Sequence, residues 1–298
     1  SGQGVLSAIL ESTQTSLGHS WGIETGKQRG NFTFWGEYYE ESDTYDPNDL
    51  GFLRANNSRV AEANVGYRNF KPNFWNLNKF QSNFSVNYER LYAPNLFGGA
   101  FWNSRAVMVS KSFNAWGINF NGALMENNDF FEPRAQNIGE YKYIRPIWTS
   151  MGAWFSSNYQ KRVALDARLG YVDVQRGEWW EWNYNLECRF RLSNQLFLIH
   201  EWEQKFQFNS EGYAVNFDEP IDSFEGILFG NRDRLTNEQS LGVDYTITNR
   251  LGMTFRLRHY NAKIKYNSFY ELLDSGLLNP LEDYSGNDIY GMSAYNIN

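Results

Sequence analysis

Residues 161–208 read KRVALDARLGYVDVQRGEWWEWNYNLECRFRLSNQLFLIHEWEQKFQF. Val163, Leu165, Ala167, Leu169 and Tyr171 fall on one face of an extended segment, and Arg162, Asp166 and Arg168 on the other. Trp180, Trp182, Tyr184, Leu186, Cys188 and Phe190 then alternate with Glu181, Asn183, Asn185, Glu187, Arg189 and Arg191. A Ser193-Asn194 turn starts a third strand at Gln195. Successive side chains of a strand point to opposite faces, so this run forms a sheet with one apolar and one charged face.

The same alternation recurs on both sides of that run. Leu17, His19, Trp21 and Ile23 share a face. Ala61, Ala63, Val65 and Tyr67 oppose Glu62, Asn64 and Arg68, and Phe84, Val86 and Tyr88 oppose Ser85, Asn87 and Glu89. Trp116, Ile118 and Phe120 oppose Asn119 and Asn121. Leu241, Val243 and Tyr245 oppose Ser240 and Asp244, and Phe255, Leu257 and His259 oppose Arg256 and Arg258. No stretch keeps a helical period. Roughly thirteen strands are expected over residues 1–298, read as a single all-β domain.

The connections are sorted by length. Those near residues 28, 112, 160, 194 and 249 are tight turns, and the one near 74 is somewhat longer. Residues 42–58, 127–147, 209–234 and 273–286 make long links, and the shorter links at 93–96 and 175–177 fall on the same side. Short turns at one rim and long loops at the other is the asymmetry of an outer-membrane barrel, with turns periplasmic and loops extracellular.

Strand length assigns the faces. The expected strands run about 11–14 residues, enough to cross a bilayer when tilted and longer than strands of soluble domains. A closed barrel of that size is too wide for inward apolar side chains to fill, so the apolar face is expected to meet lipid and the polar face a wet lumen. Aromatics make up 18% of the 298 residues; Trp102, Trp148, Trp180, Tyr92 and Tyr171 lie near strand ends, where interfacial rings belong. A mean hydropathy of −0.60 fits alternating strands, and no apolar run is long enough for a transmembrane helix. An odd strand count is unusual for a bacterial single-chain barrel, which implies further sequence beyond both ends and about 14–16 strands in all.

The loops carry a resemblance. Residues 41–57, ESDTYDPNDLGFLRANN, are similar to a segment of an uncharacterised family of Bacteroidota outer-membrane proteins. So are Asp129–Arg134, Tyr143–Trp148, Arg256–Tyr260 and Phe269–Leu272. The resemblance implies a barrel that normally follows an N-terminal sandwich similar to carbohydrate-binding modules, absent from this chain. It implies no activity.

Chemistry is sparse. A net charge of −7 with no basic stripe argues against nucleic acid. Cys188, the single cysteine, excludes an internal disulfide and reads as a small apolar side chain. His19, His200 and His259 fall on apolar faces with no nucleophile pattern beside them, so an outer-membrane hydrolase is the remote reading. Asp43, Asp46 and Asp49 could offer oxygens to calcium, but a loop held by Asx turns explains them as well. No cofactor is implied. The charges expected to line the lumen are Asp166, Arg168, Glu181, Glu187, Arg189, Arg191, Glu201, Glu203, Lys205, Asp244, Arg256 and Arg258. Their mixed signs suggest cross-strand ion pairing, whereas a pore selective for one sign would show a ring of one charge. The expected role is therefore an anchor or component of a cell-envelope assembly, with lipid, lipopolysaccharide and envelope proteins as partners. A pore for a small solute or glycan fragment is the alternative.

Overall fold

The computed structural model describes residues 3–8, 17–45, 56–72, 74–93, 95, 97–125, 127–131, 142–174, 179–214, 227–282 and 292–297. The strands are β1 (Gln3–Ala8), β2 (Leu17–Lys27), β3 (Phe32–Glu41), β4 (Ser58–Asn69), β5 (Leu77–Arg90), β6 (Phe97–Ser110) and β7 (Ala115–Ala123). A small hairpin follows, β8 (Asn127–Phe131) and β9 (Lys142–Arg145). The main sheet resumes with β10 (Trp148–Ser156), β11 (Val163–Val174), β12 (Trp179–Arg191), β13 (Leu196–Tyr213), β14 (Ile227–Thr248) and β15 (Leu251–Leu272). Two short strands end it, β16 (Leu278–Pro280) and β17 (Met292–Ile297).

From β1 to β7 and on from β10 to β15, thirteen strands pair antiparallel with their sequence neighbours. β16 and β17 both pair with β15. β1 pairs with β2, and among the described residues no pairing joins it to the C-terminal strands, so the sheet is not closed. The architecture is all-β, an antiparallel up-and-down sheet.

Tight turns set the register at one rim. Gly30 turns β2 into β3 with a positive φ of 92°, a backbone conformation open to glycine without a Cβ penalty. Ser193 Oγ accepts the backbone N–H groups of Gln195 (3.1 Å) and Leu196 (3.0 Å), which stabilises the turn after β12. Asn158 ties two neighbouring turns together: its Nδ2 donates to the Ser112 carbonyl at 2.9 Å, and its backbone N–H reaches Asn114 Oδ1 at 3.0 Å.

On β4 and β10 exposure runs opposite to polarity. On β4, Ala61, Ala63, Val65 and Tyr67 are exposed, while Glu62, Asn64, Gly66 and Arg68 are wholly or partly buried. On β10, Met151, Ala153 and Phe155 are exposed, and Gly152, Trp154 and Ser156 less so. Side chains crowd together on the concave face of a rolled sheet and splay apart on the convex one. The polar face is therefore the concave one. The chief apolar cluster among the described residues is small: Ile227, Phe229 and Leu272, with Tyr143, Tyr270 and Leu278 packed against it.

Two expectations are corrected. β13 runs to Tyr213 and β14 begins at Ile227, so much of the loop expected at 209–234 is strand. The ladder slips between Gln207 and Ser210, with Asn209 at φ 52°, and again between Asn231 and Arg232. The first bulge adds a residue to β13 and reverses the phase of its alternation, and the second places the extra residue at Asn267 of β15 and leaves the alternation of β14 unbroken. The segment expected as a loop at 127–147 contains the β8–β9 hairpin, a separate two-stranded sheet. Ile144 N–H of β9 donates to the Gly276 carbonyl at 2.9 Å. Tyr143 donates to Glu211 Oε2 at 2.8 Å and packs on Phe229, ring centroids 5.0 Å apart. The hairpin leaves the sheet between β7 and β10, so it passes β11 and β12 to reach β13–β15.

Candidate functional site

The concave polar face is the candidate site. The ladder puts all twelve charges singled out from the sequence on it, because each is in register with a polar-face residue of its neighbour. Asp166, Glu187 and Glu201 form one row, which continues through Ser240 to Arg258. Arg168, Asn185, Glu203, Glu238 and Tyr260 form the next.

Ion pairing accounts for part of this network. Glu181, which is buried, accepts Lys205 Nζ at 3.0 Å, Gln207 Nε2 at 3.0 Å and Asn183 Nδ2 at 3.2 Å. Arg258 holds Glu238 with two bonds, at 2.5 and 2.6 Å, the fork geometry in which guanidinium matches carboxylate. Arg189 lies 3.7 Å from Glu187 along the same strand. Other charges use neutral partners: Tyr159 donates to Asp166, Asn185 to Glu201 at 2.6 Å, and Thr254 to Asp244 at 3.0 Å. Arg189 and Arg191 stack on Tyr159 and Phe197 at 5.1 and 5.5 Å. Arg168, Arg256 and Glu203 have no ion-pair partner among the described residues.

Sequence reasoning missed five contributors here. Glu238, the partner of Arg258, is one. Arg234 donates to Tyr260 at 3.1 Å and Arg232 to Tyr266 at 3.1 Å, so the aromatic partners belong to the network too. The signal was available for Glu238 in its two-residue spacing from Ser240. Arg232 and Arg234 lay in the segment read as loop.

The N-terminal half carries a second, unforeseen feature. Glu24, Glu37 and Glu62 stand in one row across β2, β3 and β4, followed by Asn87 on β5. Glu41 and Glu89 are on the same face. Arg68, the nearest cation on β4, is committed to the carbonyls of Gln28 (2.6 Å) and Gly30 (3.1 Å) at the short-turn rim. Between the two halves the face is recessed where Gly152 and Gly170 pair, with the Asn119 and Asn183 amides lying over them. A Cβ at Gly152 would come within 2.6 Å of Asn119 Oδ1. Trp154 and Arg168 border this recess.

The histidines stay apart on the convex face. His200 is in register with Cys188 and His259 with Gln239. His19 has its Nε2 3.2 Å from Glu40 Oε1. Asp46 and Asp49 lie outside the described residues; Asp43 is exposed, and its carbonyl accepts Asn56 Nδ2 at 2.9 Å. Among the described residues no group of three or more His, Cys, Asp or Glu side chains is placed to hold a metal ion.

These features define an up-and-down antiparallel sheet, polar on its concave face and apolar on its convex one. The chain belongs to the family DUF5916, a domain of unknown function, which matches residues 1–298. No curated protein matches it. Among solved structures it is similar to OmpT (in-vitro folded), an outer membrane protein of Vibrio cholerae. That similarity has a TM-score of 0.36 at 8% identity, over 97% of this chain and 93% of that one.

Proposed function

We propose that the chain is an outer-membrane barrel that anchors or joins a cell-envelope assembly, with its convex face in lipid. One observation carries this reading: large apolar side chains stand exposed along the convex face. Val65 (44% exposed), Met151 (45%) and Leu169 (49%) lie on the convex face, while Glu181 on the concave face is 7% exposed. In water that arrangement would leave a large apolar surface uncovered; in a bilayer it is the low-energy one. Short turns then sit on the periplasmic side and long loops on the extracellular side. Relatives in Bacteroidota that carry an N-terminal sandwich would use the barrel to hold that module at the membrane. In this reading the chain is not an enzyme, needs no cofactor and has lipid, lipopolysaccharide and envelope proteins as partners. The paired charges of β11–β15 favour an interior that does not conduct.

A second reading is a cation-preferring pore, favoured by the Glu24–Glu37–Glu62 row. Planar-bilayer recording separates the two: an anchor is electrically silent, and stepwise cation-selective conductance supports the pore instead. Membrane placement is tested with the native thiol. In outer-membrane vesicles Cys188 resists a membrane-impermeant maleimide, while Glu187→Cys in a Cys188→Ser background is labelled through the wet interior. Equal labelling of both positions overturns the placement.

A further inference from the structure

Two arginines stand side by side on the convex face, at the end away from the short turns. Arg59 of β4 and Arg90 of β5 are register partners. Trp21 and Glu40 continue their row on one side and Phe97 on the other. Like charges directly opposite each other in a sheet repel, so this pair needs a counter-charge.

Glu40 supplies one. Its carboxylate accepts Arg59 Nε at 2.8 Å, the Tyr38 hydroxyl at 2.9 Å and Trp21 Nε1 at 3.2 Å, with His19 Nε2 also at 3.2 Å. Its accepting capacity is engaged, and it offsets a single positive charge. Arg90 has no carboxylate among the described residues: its Nη2 donates to the Asn95 carbonyl at 2.7 Å, and its Nε is buried without an acceptor. The Arg59 guanidinium lies over the Tyr92 ring at 4.6 Å, and its terminal nitrogens have no acceptor among the described residues. Glu41 and Glu89 point to the other face by alternation, and Asp43 is exposed in the turn after β3. Among the described residues the cluster thus has a positive surplus, arginine donors without acceptors and a surround of aromatic rings. It lies at the long-loop rim, where His19 N–H reaches Ser42 Oγ at 2.9 Å.

We propose that Arg59 and Arg90 bind the phosphate of a phosphorylated glycolipid in the outer leaflet. The proposal rests on the membrane placement above. A guanidinium pair matches the oxygens of one phosphate with forked bonds, and the phosphate's negative charge relieves the repulsion between the arginines. Tyr92 and Trp21 stand at headgroup level, where amphipathic rings concentrate. Toward the short turns the convex face continues with exposed Ile23, Phe34, Val65 and Phe84, a surface for the acyl chains.

The test uses the full chain in lipid nanodiscs, probed by native mass spectrometry with bisphosphorylated lipid A, the same lipid without phosphates, and inorganic phosphate. The wild type retains the bisphosphorylated lipid about tenfold over the dephosphorylated one, a difference of the order expected for charge-assisted hydrogen bonds. Arg90→Gln, which leaves the Glu40 cluster intact, abolishes that preference, and Arg90→Lys keeps part of it. Inorganic phosphate does not compete. Equal retention of the two lipids, an unaltered preference in Arg90→Gln, or displacement by inorganic phosphate overturns the proposal. If the convex face does not meet lipid, Cys188 labels freely, a result separate from any loss of phosphate preference. Heat-modifiable migration of each variant on gels confirms that it is folded.

Discussion

Strands β2–β5 and strands β11–β15 share one alternation and reach opposite electrostatics. On the polar face of β2–β5, Glu24, Glu37 and Glu62 stand in a row without cations between them. On β11–β15 Asp166, Glu187 and Glu201 also stand in a row, but cations lie among the carboxylates: Glu181 holds Lys205, Glu238 holds Arg258, and Arg189 lies 3.7 Å from Glu187. The two regions differ in build as well. β14 and β15 are 22 residues long, and β3 is 10. The long strands reach beyond any bilayer-spanning length, and their far end carries the Ile227–Phe229–Leu272 cluster onto which Tyr143 docks. Carboxylates in a row are tolerated where water screens them. Glu181, which is buried, comes with three donors, because a buried unpaired charge is costly.

The largest effect that breaks this comparison is expected at Phe229. Phe229→Ala removes a ring that is 1% exposed, and truncating a buried Phe costs about 3–5 kcal/mol. The loss should be local: limited proteolysis is expected to cut the far end of the β14–β15 hairpin and the docked β9 segment, while β2–β5 stay resistant. Uniform loss of resistance along the chain would mean that the two regions are not separable.

A smaller effect, of opposite sign in the two halves, comes from one kind of substitution. Glu238→Gln removes an ion pair whose Arg258 side chain is 50% exposed, so it should destabilise by at most about 1 kcal/mol. Glu37→Gln relieves repulsion from Glu24 and Glu62 on both sides, and should stabilise by about 0.2–1 kcal/mol. Urea unfolding in lipid or detergent at low salt measures both, and both changes should shrink as salt is added. Destabilisation by Glu37→Gln would show that the acidic row has a counter-charge.

Much of the fold was legible because period-two alternation is local. A strand's neighbours in sequence decide which face each side chain joins, and Asp166, Glu187 and Glu201 could be assigned to one face before any pairing was known. The alternation failed where a bulge changed its phase, at Gln207–Ser210 of β13, and there a loop was read in place of strand. The site was legible as a set of residues but not as a set of contacts. Which carboxylate meets which arginine depends on register, and a shift of one residue would move each side chain to the other face.

The sequence by itself determined the all-β class, the order of strands and turns, and the division into one polar and one apolar face, since each follows from residue type and spacing along the chain. Only the tertiary structure decided which face is concave, that Glu24, Glu37 and Glu62 form a row, that Arg59 and Arg90 stand together beside Glu40, and that the β8–β9 hairpin crosses to β13–β15. These are relations between residues far apart in sequence. Pairing and packing across the sheet create them, and no local pattern encodes them.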